Sequence, residues 1–455
     1  MPKSEYFDLN QGAFRAVRKE VRVDGPRVVG QIPKDLNGTW IRNGANPYSG
    51  LYDGHDMFSW FSGDGMLHSL RIEDGEAIYY ENRWVKTNLL AHPGEDVEDN
   101  TPANTNVIGL AGSLLALCEG GVPYRMSPSL ETIGPYDLGG TLPGGHMSAH
   151  PKLDPTTGET VAFDYDWQEP YGRYFVIDAS GAVAHSADIN LQGPSMMHDF
   201  AVTASHSVFM DLPVVFDLKL AIAGRTIPYR WRPDYQARLG VLPRFGGSTQ
   251  MKWFDIDPCF IFHTMNAFND GDCVVLDAAR FDKILEYDFV ADDFIPDTSE
   301  AFLTRYTLNL MTGESSSTQI SDISVEFPRV ANTRVGTSYQ YGYAVEYQPN
   351  NVYETKGLVR FDLHSGETQK WQHQAGGNVG EALYVPSENG AGLQEDAGYV
   401  LFPLYDANSD TSSLEIHDAT DLAGGALASV KLPVRIPAGF HGNWFEDGQR
   451  NSRLA

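Results

Sequence analysis

Short β-rich runs separated by polar turns recur along most of the chain. Three examples are "LRIEDGEAIYYENRWV" (70–85), "YFVIDASGAVAHSADI" (174–189) and "RYTLNLMTGESSSTQI" (305–320). Asp, Asn and Gly at their centres supply the turn conformations that hairpins need. Val, Ile, Tyr, Phe and Thr fill the flanks, as strands prefer. Because such hairpins continue as far as residue 433 with few helical patterns between them, the sequence predicts an all-β fold.

The repetition of hairpins over the whole length fits either a multi-sheet sandwich or a radial β-propeller, and it favours the propeller. Blades of roughly 40–50 residues, with some long insertions between them, would fit about seven blades in 455 residues. We therefore predict one β-propeller domain over residues 1–455. The stretch 212–243, "LPVVFDLKLAIAGRTIPYRWRPDYQARLGVLP", lacks the hairpin pattern. It is expected to form a cap over one face, with partial helix near 216–223.

Composition and charge restrict the class of protein. A net charge of −27 makes nucleic acid an unsuitable partner, since the phosphate backbone is also negative. The three cysteines, Cys118, Cys259 and Cys273, are too few and too irregular for a disulfide scaffold or a zinc cluster, which suggests a reducing compartment. The N-terminus has no apolar signal-peptide core, and no stretch approaches the roughly 18 apolar residues of a membrane span. These features predict a soluble cytoplasmic protein.

Four of the 13 histidines stand in apolar or Gly-rich contexts: "MSAHPKLDP" (His150), "SMMHDFAVT" (His198), "FIFHTMNAF" (His263) and "IPAGFHGNW" (His441). They are far apart in the sequence, and a propeller would bring them together because the inner strand of each blade lines the central axis. Simple strand alternation in "CFIFHTMNAFND" puts His263 on the face of Met265, with Phe262 opposite. Imidazole suits iron, zinc, copper and nickel, so spacing alone does not select the metal.

The four histidine motifs, in this order, resemble those of the carotenoid cleavage oxygenases, the superfamily of the retinal pigment epithelial membrane protein. "GTWIRNGANP" (38–47), "FSGDGMLHSLRI" (61–72), "VEFPRV" (325–330) and "EDAGYVLFPLYD" (395–406) resemble further signatures of that family. The similarity runs from about residue 30 to 445. It implies a seven-bladed β-propeller with a loop and short-helix cap. It also implies one non-haem Fe²⁺ held by His150, His198, His263 and His441.

The resemblance assigns roles to residues around that metal. A metal-bound histidine needs a partner for its other ring N–H, and the family uses three glutamates, which map to Glu119, Glu326 and Glu381. His150 is then left without a carboxylate. A threonine methyl crowds one of the two remaining metal positions in the family, and Thr105 matches it.

The reaction implied by the resemblance is oxidative cleavage of a C=C bond by O₂, giving two carbonyl products. No Gly-rich dinucleotide motif is present, and no nicotinamide or flavin is expected. Family members that cleave stilbenes and phenylpropenes carry a Lys before the first glutamate and an upstream Tyr. Here Cys118 precedes Glu119, and the stretch 83–105 contains no Tyr. The absence of this pair favours a long polyene, a carotenoid or apocarotenoid, held by burial.

Several further expectations follow from the sequence and the resemblance. The candidates for the cavity wall near the metal are Cys118, Phe262, Met265, Phe440 and Trp444. The 212–243 segment is expected to give weak, hydrophobic membrane contact. The alternative activity is stilbene or phenylpropanoid (lignin-derived) alkene cleavage. A binding propeller with a degenerate histidine cluster, or a Ca²⁺-dependent propeller hydrolase, fits the motifs less well, and the oligomeric state stays open.

Overall fold

The computed structural model describes residues 8–52, 57–93, 95, 99–295, 299–349, 351–373, 377–388 and 394–446. Strands dominate these residues, as the hairpin pattern predicts, and helices are few and short. The α-helices are Asn88–Ala91 and Leu218–Ile222. The 3₁₀ helices are Gly12–Phe14, Met57–Ser62, Pro143–Gly145, Ser248–Gln250, Asn332–Arg334 and Leu422–Gly424.

The first and last large sheets join the two ends of the chain. In the first sheet the strands are Arg22–Asp24, Gly38–Ala45, Gly65–Glu73, Glu76–Trp84 and, from the C-terminal end, Gly442–Glu446. In the last sheet they are Val28–Gly30, Asn378–Val379, Leu383–Pro386, Gly398–Asp406, Thr411–Asp418 and Ala426–Lys431. Each sheet therefore combines strands from both ends of the chain, which closes the ring of sheets.

Three four-stranded antiparallel sheets follow the first. The second sheet contains Asn106–Leu110, Ser113–Leu117, Tyr124–Met126 and Thr132–Pro135. The third contains Lys152–Leu153, Thr160–Tyr165, Gly172–Ile177 and Val183–Asp188. The fourth contains Ala201–Val202, His206–Asp211, Arg238–Pro243 and Lys252–Asp255.

One sheet of seven strands consists of two four-stranded units that share a long strand. Its strands are Phe260–Asp270, Cys273–Phe281, Ala301–Asn309, Ser315–Arg329, Tyr341–Gln348, Asn351–Asp362 and Thr368–Gln372. The shared strand, Ser315–Arg329, pairs with Ala301–Asn309 over its first part and with Tyr341–Gln348 over its last part. Counting this sheet as two units gives seven units, which fits the seven blades predicted from the sequence and confirms the all-β propeller class.

Burial along the strands shows how each sheet is oriented. The outer strand Val183–Asp188 alternates between half-buried and exposed residues, as expected for a strand with one wet face. The inner strand of the next sheet, Ala201–Val202, is wholly buried. Apolar side chains of neighbouring sheets pack between them, as Phe163 and Phe200 do at 5.0 Å between ring centroids. The inner strands therefore lie at the centre, where the histidines were expected to meet.

The 212–243 segment differs in part from the predicted cap. The expected helix is present as Leu218–Ile222. However, Val214–Phe216 and Tyr229–Trp231 form a small hairpin, and Arg238–Pro243 is a strand of the fourth sheet. The prediction that the whole segment lies outside the blades is therefore wrong at its C-terminal end, because "ARLGVLP" pairs with His206–Asp211. A second small hairpin, Tyr287–Asp288 with Asp293–Phe294, is the other two-stranded element among the described residues.

Candidate metal centre

The four histidines singled out in the sequence converge at the centre of the ring. Their ligand nitrogens all lie within 4.8 Å of one another, and all four side chains are buried. His441 directly precedes the strand Gly442–Glu446, and His150 lies two residues before the strand Lys152–Leu153. His198 lies three residues before the strand Ala201–Val202. His263 lies within the strand Phe260–Asp270. Each ligand therefore comes from the inner edge of a different sheet.

The spacing of the ring nitrogens fits a shared metal ion. The Nε2 atoms of His150 and His198 are 3.0 Å apart, and those of His263 and His441 are 3.2 Å apart. Adjacent ligands at about 2.1 Å from one ion are separated by about 3 Å. Burial and the neighbouring histidines hold the pKa of His150 well below its usual range, and burial lowers the pKa of His441 to about 4. Neutral imidazoles of this kind are metal ligands.

Three of the histidines donate a hydrogen bond from the N–H of their other ring nitrogen to a glutamate. His198 Nδ1 is hydrogen-bonded to Glu119. The His263 Nδ1 to Glu326 Oε2 distance is 2.5 Å, and the His441 Nδ1 to Glu381 Oε1 distance is 2.9 Å. Since a proton on Nδ1 leaves a lone pair on Nε2, these bonds direct three lone pairs toward the common centre. The resemblance implied these three glutamates as the partners of three of the histidines, and the structure shows which histidine each one contacts.

His150 has a different environment. Its Nδ1 lies 3.8 Å from Asp199 Oδ1, which is longer than a hydrogen bond. Asp199 instead accepts hydrogen bonds from Lys152 Nζ at 2.7 Å and from the backbone and hydroxyl of Thr264, both at 2.8 Å. The fourth histidine therefore lacks a hydrogen-bonded carboxylate among the described residues, as the resemblance implied.

Arg329 is a half-buried partner of this centre that the sequence reasoning did not identify. Its Nη1 donates to Glu381 Oε1 at 3.1 Å, and the backbone N–H of Gly442 donates to Glu381 Oε2 at 3.0 Å. Burial raises the pKa of Glu381, but the charges of Arg329 and His441 outweigh it and hold that pKa well below its usual value. Arg329 follows Glu326 by three residues in "VEFPRV", and this proximity is the signal that could have identified it.

The strand that carries His263 departs from simple alternation. The register of Phe260–Asp270 shifts between Ile261 and Thr264 and again before Asn266. Such irregularities change the face on which side chains emerge. As a result His263 and Phe262 both face the central cavity, whereas Ile261 packs in a hydrophobic cluster. The predicted grouping of His263 with Met265, and of Phe262 with the opposite face, is wrong for this reason.

A cavity of about 470 Å³ lies beside the nitrogen cluster, within the size range of small-molecule sites. Its wall includes His198, His263 and His441, together with four of the predicted residues: Thr105, Cys118, Phe262 and Phe440. The three glutamates differ in position, because Glu119 and Glu326 line the cavity and Glu381 lies behind it.

Two residues predicted for the cavity wall lie elsewhere. Met265 is buried in a cluster with Leu303 and Val325, and its sulfur packs against Gly342. Trp444 is paired with Trp40 across the first sheet and covers Gly38. Both side chains therefore pack within or between sheets and do not line the cavity.

Several aromatic residues of the wall were missed in the sequence. Trp60 and Phe61 pack on Phe440, with ring centroids 4.6 and 5.6 Å apart. Phe327 stacks on the His263 ring at 4.9 Å and has a φ of 51°, a left-handed conformation that a residue with a side chain seldom adopts. Tyr165 lines the cavity and donates a hydrogen bond to Glu119. Only Phe327 carried a local signal, its position directly after Glu326.

Comparison with known proteins connects this geometry to a family. The family model for the retinal pigment epithelial membrane protein matches residues 14–446. The chain belongs to the carotenoid cleavage oxygenase family. A carotenoid cleavage oxygenase from Mycobacterium tuberculosis is 33% identical, covering 95% of this chain and 96% of that protein. An isoeugenol monooxygenase from Pseudomonas putida is 30% identical, over 96% of this chain and 98% of that protein.

The fold comparison agrees with the family assignment. The crystal structure of a lignostilbene dioxygenase from Pseudomonas brassicacearum superposes with a TM-score of 0.88 at 27% identity, covering 98% of this chain and all of that one. As a carotenoid cleavage oxygenase family member, the chain is an alkene-cleaving oxygenase, and the motifs that predicted the family are confirmed.

Proposed function

We propose that the chain is a non-haem Fe²⁺ dioxygenase that cleaves a C=C bond of a carotenoid or apocarotenoid with O₂. The observation that carries this proposal is the character of the cavity. Apolar and aromatic residues form most of its wall, and among the described residues no lysine or arginine lines it. Three glutamates, Glu119, Glu300 and Glu326, do line it. A wall of this charge disfavours an anionic phenolate and suits an uncharged polyene.

The residues of the chain would hold the metal and keep its surroundings dry. His150, His198, His263 and His441 would bind one Fe²⁺, and the three glutamates would balance its charge through the imidazole rings. When bound, Fe²⁺ supplies the activation of O₂ that alkene cleavage requires, with both product oxygens coming from O₂ and no nicotinamide or flavin. The aromatic residues Phe262, Phe327 and Phe440 exclude water beside the ligands.

A polyene can bind such a cavity by burial alone. Removing each CH₂-like unit from water contributes about 0.8 kcal/mol, and a micromolar dissociation constant corresponds to about 8 kcal/mol. A conjugated chain of about ten buried carbons therefore reaches that range without a hydrogen bond. The stacked pair of Phe61 and Phe440, with ring planes 13° apart, offers a flat surface for such a chain.

Stilbene or phenylpropanoid cleavage is the second candidate function. It is favoured by Tyr165 and Tyr229, two of the three tyrosines that line the cavity among the described residues, because their phenols could bind a substrate hydroxyl. Burial raises the pKa of the Tyr229 phenol further above its usual value, so this group would act as a neutral hydrogen-bond partner. The lignostilbene and isoeugenol enzymes are also relatives of the chain. We rank this activity second because neither phenol replaces the missing cation.

A side-by-side assay distinguishes the two functions. The Fe²⁺-loaded protein is given an apocarotenal and a hydroxylated stilbene in air, and the products are identified by mass. We expect two carbonyl products from the polyene and none from the stilbene. Cleavage of the stilbene alone would contradict the polyene assignment. It would indicate that Tyr165 and Tyr229 are the phenol-binding groups.

Cys118 provides a prediction about the shape of the cavity. Its side chain lines the wall next to Thr105 and Glu119, and it is smaller than the aromatic residue that carotenoid-cleaving members of the family often have there. Replacing Cys118 with tryptophan should narrow the cavity and raise KM for the longest polyenes by at least about tenfold, the effect of losing about 1.4 kcal/mol of binding. Cys118→Ser, which keeps a small side chain of similar shape, is the matched control. A substrate profile unchanged in Cys118→Trp would show that the side chain does not limit the cavity.

We also propose weak peripheral contact with membranes. Leu218, Ile222, Phe289 and Val290 are exposed by 50% or more. Lys219 and Arg230 both lie over the Phe289 ring, so the helix and the Tyr287–Phe294 hairpin are neighbours. No helix among the described residues is long and apolar enough to cross a bilayer.

The three cysteines are free thiols, which agrees with a reducing compartment such as the cytoplasm.

The membrane contact has a direct measurement. Replacing Ile222 and Val290 with serine should lower the fraction of protein that sediments with neutral phosphatidylcholine vesicles, because two exposed apolar side chains no longer enter the interface. Ile133→Ser, at an exposed residue of the second sheet, is the control. Equal sedimentation of all three proteins would contradict contact through this surface.

A further inference from the structure

The segment that carries Thr105 is held in an unusual backbone conformation. Ala103 has a φ of 47°, in the left-handed region that residues with side chains seldom occupy. The amide Nδ2 of Asn43 donates to the carbonyl oxygens of Ala103 and Asn106, at 2.8 and 2.9 Å. A strained conformation persists only where the surroundings fix it, and such positions cluster at functional sites.

Asn104 fixes the same segment from its side chain. It is 1% exposed, and its Nδ2 donates to the carbonyl oxygens of Phe61 and Gly63, at 2.8 and 2.7 Å. Both amide hydrogens are therefore used, and the reversed amide would set Oδ1 against two carbonyl oxygens. The orientation of the amide is thus determined, and Oδ1 must face the other way. There it accepts from Thr105 Oγ1 at 2.9 Å and lies 3.6 Å from the Cys118 thiol.

Backbone bonds hold Thr105 itself close to the histidine cluster. Its N–H donates to the carbonyl oxygen of Leu117 at 2.9 Å, and its own carbonyl oxygen accepts from the His441 N–H at 3.0 Å. Thr105 lines the cavity, whereas Asn104 lies behind the wall. With its hydroxyl turned to Asn104, the group that Thr105 presents to the cavity is its methyl.

We propose that Asn104 is a positioning residue that keeps the Thr105 hydroxyl away from the metal, so that a methyl and not an oxygen faces the metal position. Threonine χ1 has three staggered wells, and the hydrogen bond to Asn104 selects one of them. Without that bond the hydroxyl is free to turn toward the metal, where it can act as an added oxygen ligand. This inference rests on the proposed function, in which the four histidines hold the metal and Thr105 restricts access to it.

The test uses the full-length protein loaded with Co²⁺, whose visible bands weaken as its coordination number rises. Four proteins are compared: wild type, Asn104→Ala, Thr105→Val and Asn104→Ala with Thr105→Val. We expect weaker bands in Asn104→Ala, together with an Fe²⁺-supported cleavage rate lower by about 10–100-fold, the usual cost of a lost supporting partner. Valine keeps the methyl shape and has no hydroxyl, so both proteins that carry it should show the wild-type spectrum.

The double variant separates a positioning role from a structural one. If Asn104→Ala with Thr105→Val shows the same weak bands as Asn104→Ala alone, the hydroxyl is not involved and the inference is wrong. A wild-type spectrum in Asn104→Ala also contradicts it. If Asn104→Ala does not fold, Asn104→Ser takes its place, since serine can bond one of the two carbonyls but is too short to reach Thr105. Normal Co²⁺ spectra without cleavage of polyenes would overturn the proposed substrate alone, whereas wild-type protein that binds no Co²⁺ would overturn both.

Discussion

Replacing His263 with alanine should abolish metal binding and alkene cleavage while the protein stays folded. His263 supplies one of four nitrogens that lie within 4.8 Å of one another, and the remaining three leave a gap in the ligand set. The strand itself is held by backbone pairing with Cys273–Phe281 and by the buried Phe260 and Ile261. Loss of the ring therefore removes the metal without removing the sheet. The measurements are metal content by mass spectrometry, circular dichroism and product formation.

His364 offers a matched control for this prediction. It is exposed in a hairpin turn, where its backbone N–H bonds to Asp362. His364→Ala should retain one metal ion per chain and the full cleavage rate. Normal metal content in His263→Ala would show that the four-histidine cluster is not the metal site.

Replacing Arg329 with methionine should weaken metal binding and destabilise the protein together. Glu381 is 4% exposed, and among the described residues it would keep His441 and one backbone N–H as its hydrogen-bond partners. Removing one partner of a buried ion pair costs about 3–5 kcal/mol, and since Arg329 is itself partly exposed we expect about 3 kcal/mol. The displaced carboxylate orients His441 less well, so metal affinity should fall by about 10–100-fold.

Arg305 provides the comparison that separates these two effects. It forms two hydrogen bonds of 2.8 Å to the fully buried Asp277, outside the cavity wall. Arg305→Met should lower the free energy of unfolding, measured in urea, by about as much as Arg329→Met does. It should leave the dissociation constant for the metal unchanged. If Arg329→Met only destabilises the protein and keeps wild-type metal affinity, Arg329 does not act on the ligand.

The fold and the metal ligands could be predicted from the sequence because both are marked by local patterns of residues. Each hairpin has its own turn residues and β-rich flanks, and repeated hairpins can close into few architectures. Four histidines in apolar or Gly-rich contexts stand out for the same reason. The propeller then brings together residues that are 48, 65 and 178 positions apart, as His150, His198, His263 and His441 are.

The structural features that could not be predicted from the sequence depend on contacts between residues far apart in the chain. The register shifts beside His263 arise from its pairing with the neighbouring strand, so strict alternation assigned Met265 to the wrong face. Arg238–Pro243 is a blade strand because it pairs with His206–Asp211 on one side and with Lys252–Asp255 on the other. Tyr165 and Tyr229 reach the cavity from different elements, and no spacing rule in one sequence places them near Glu119.

The most direct test of the metal-dependent reaction is a titration of metal-free protein with Fe²⁺, followed by measurement of carbonyl products from a polyene in air. Product formation should rise linearly and level off at one Fe²⁺ per chain. Zn²⁺, which has no redox chemistry, should occupy the same nitrogens and support no cleavage. Cleavage by metal-free protein, or equal cleavage with Zn²⁺, would contradict an oxygenase reaction at the four-histidine centre.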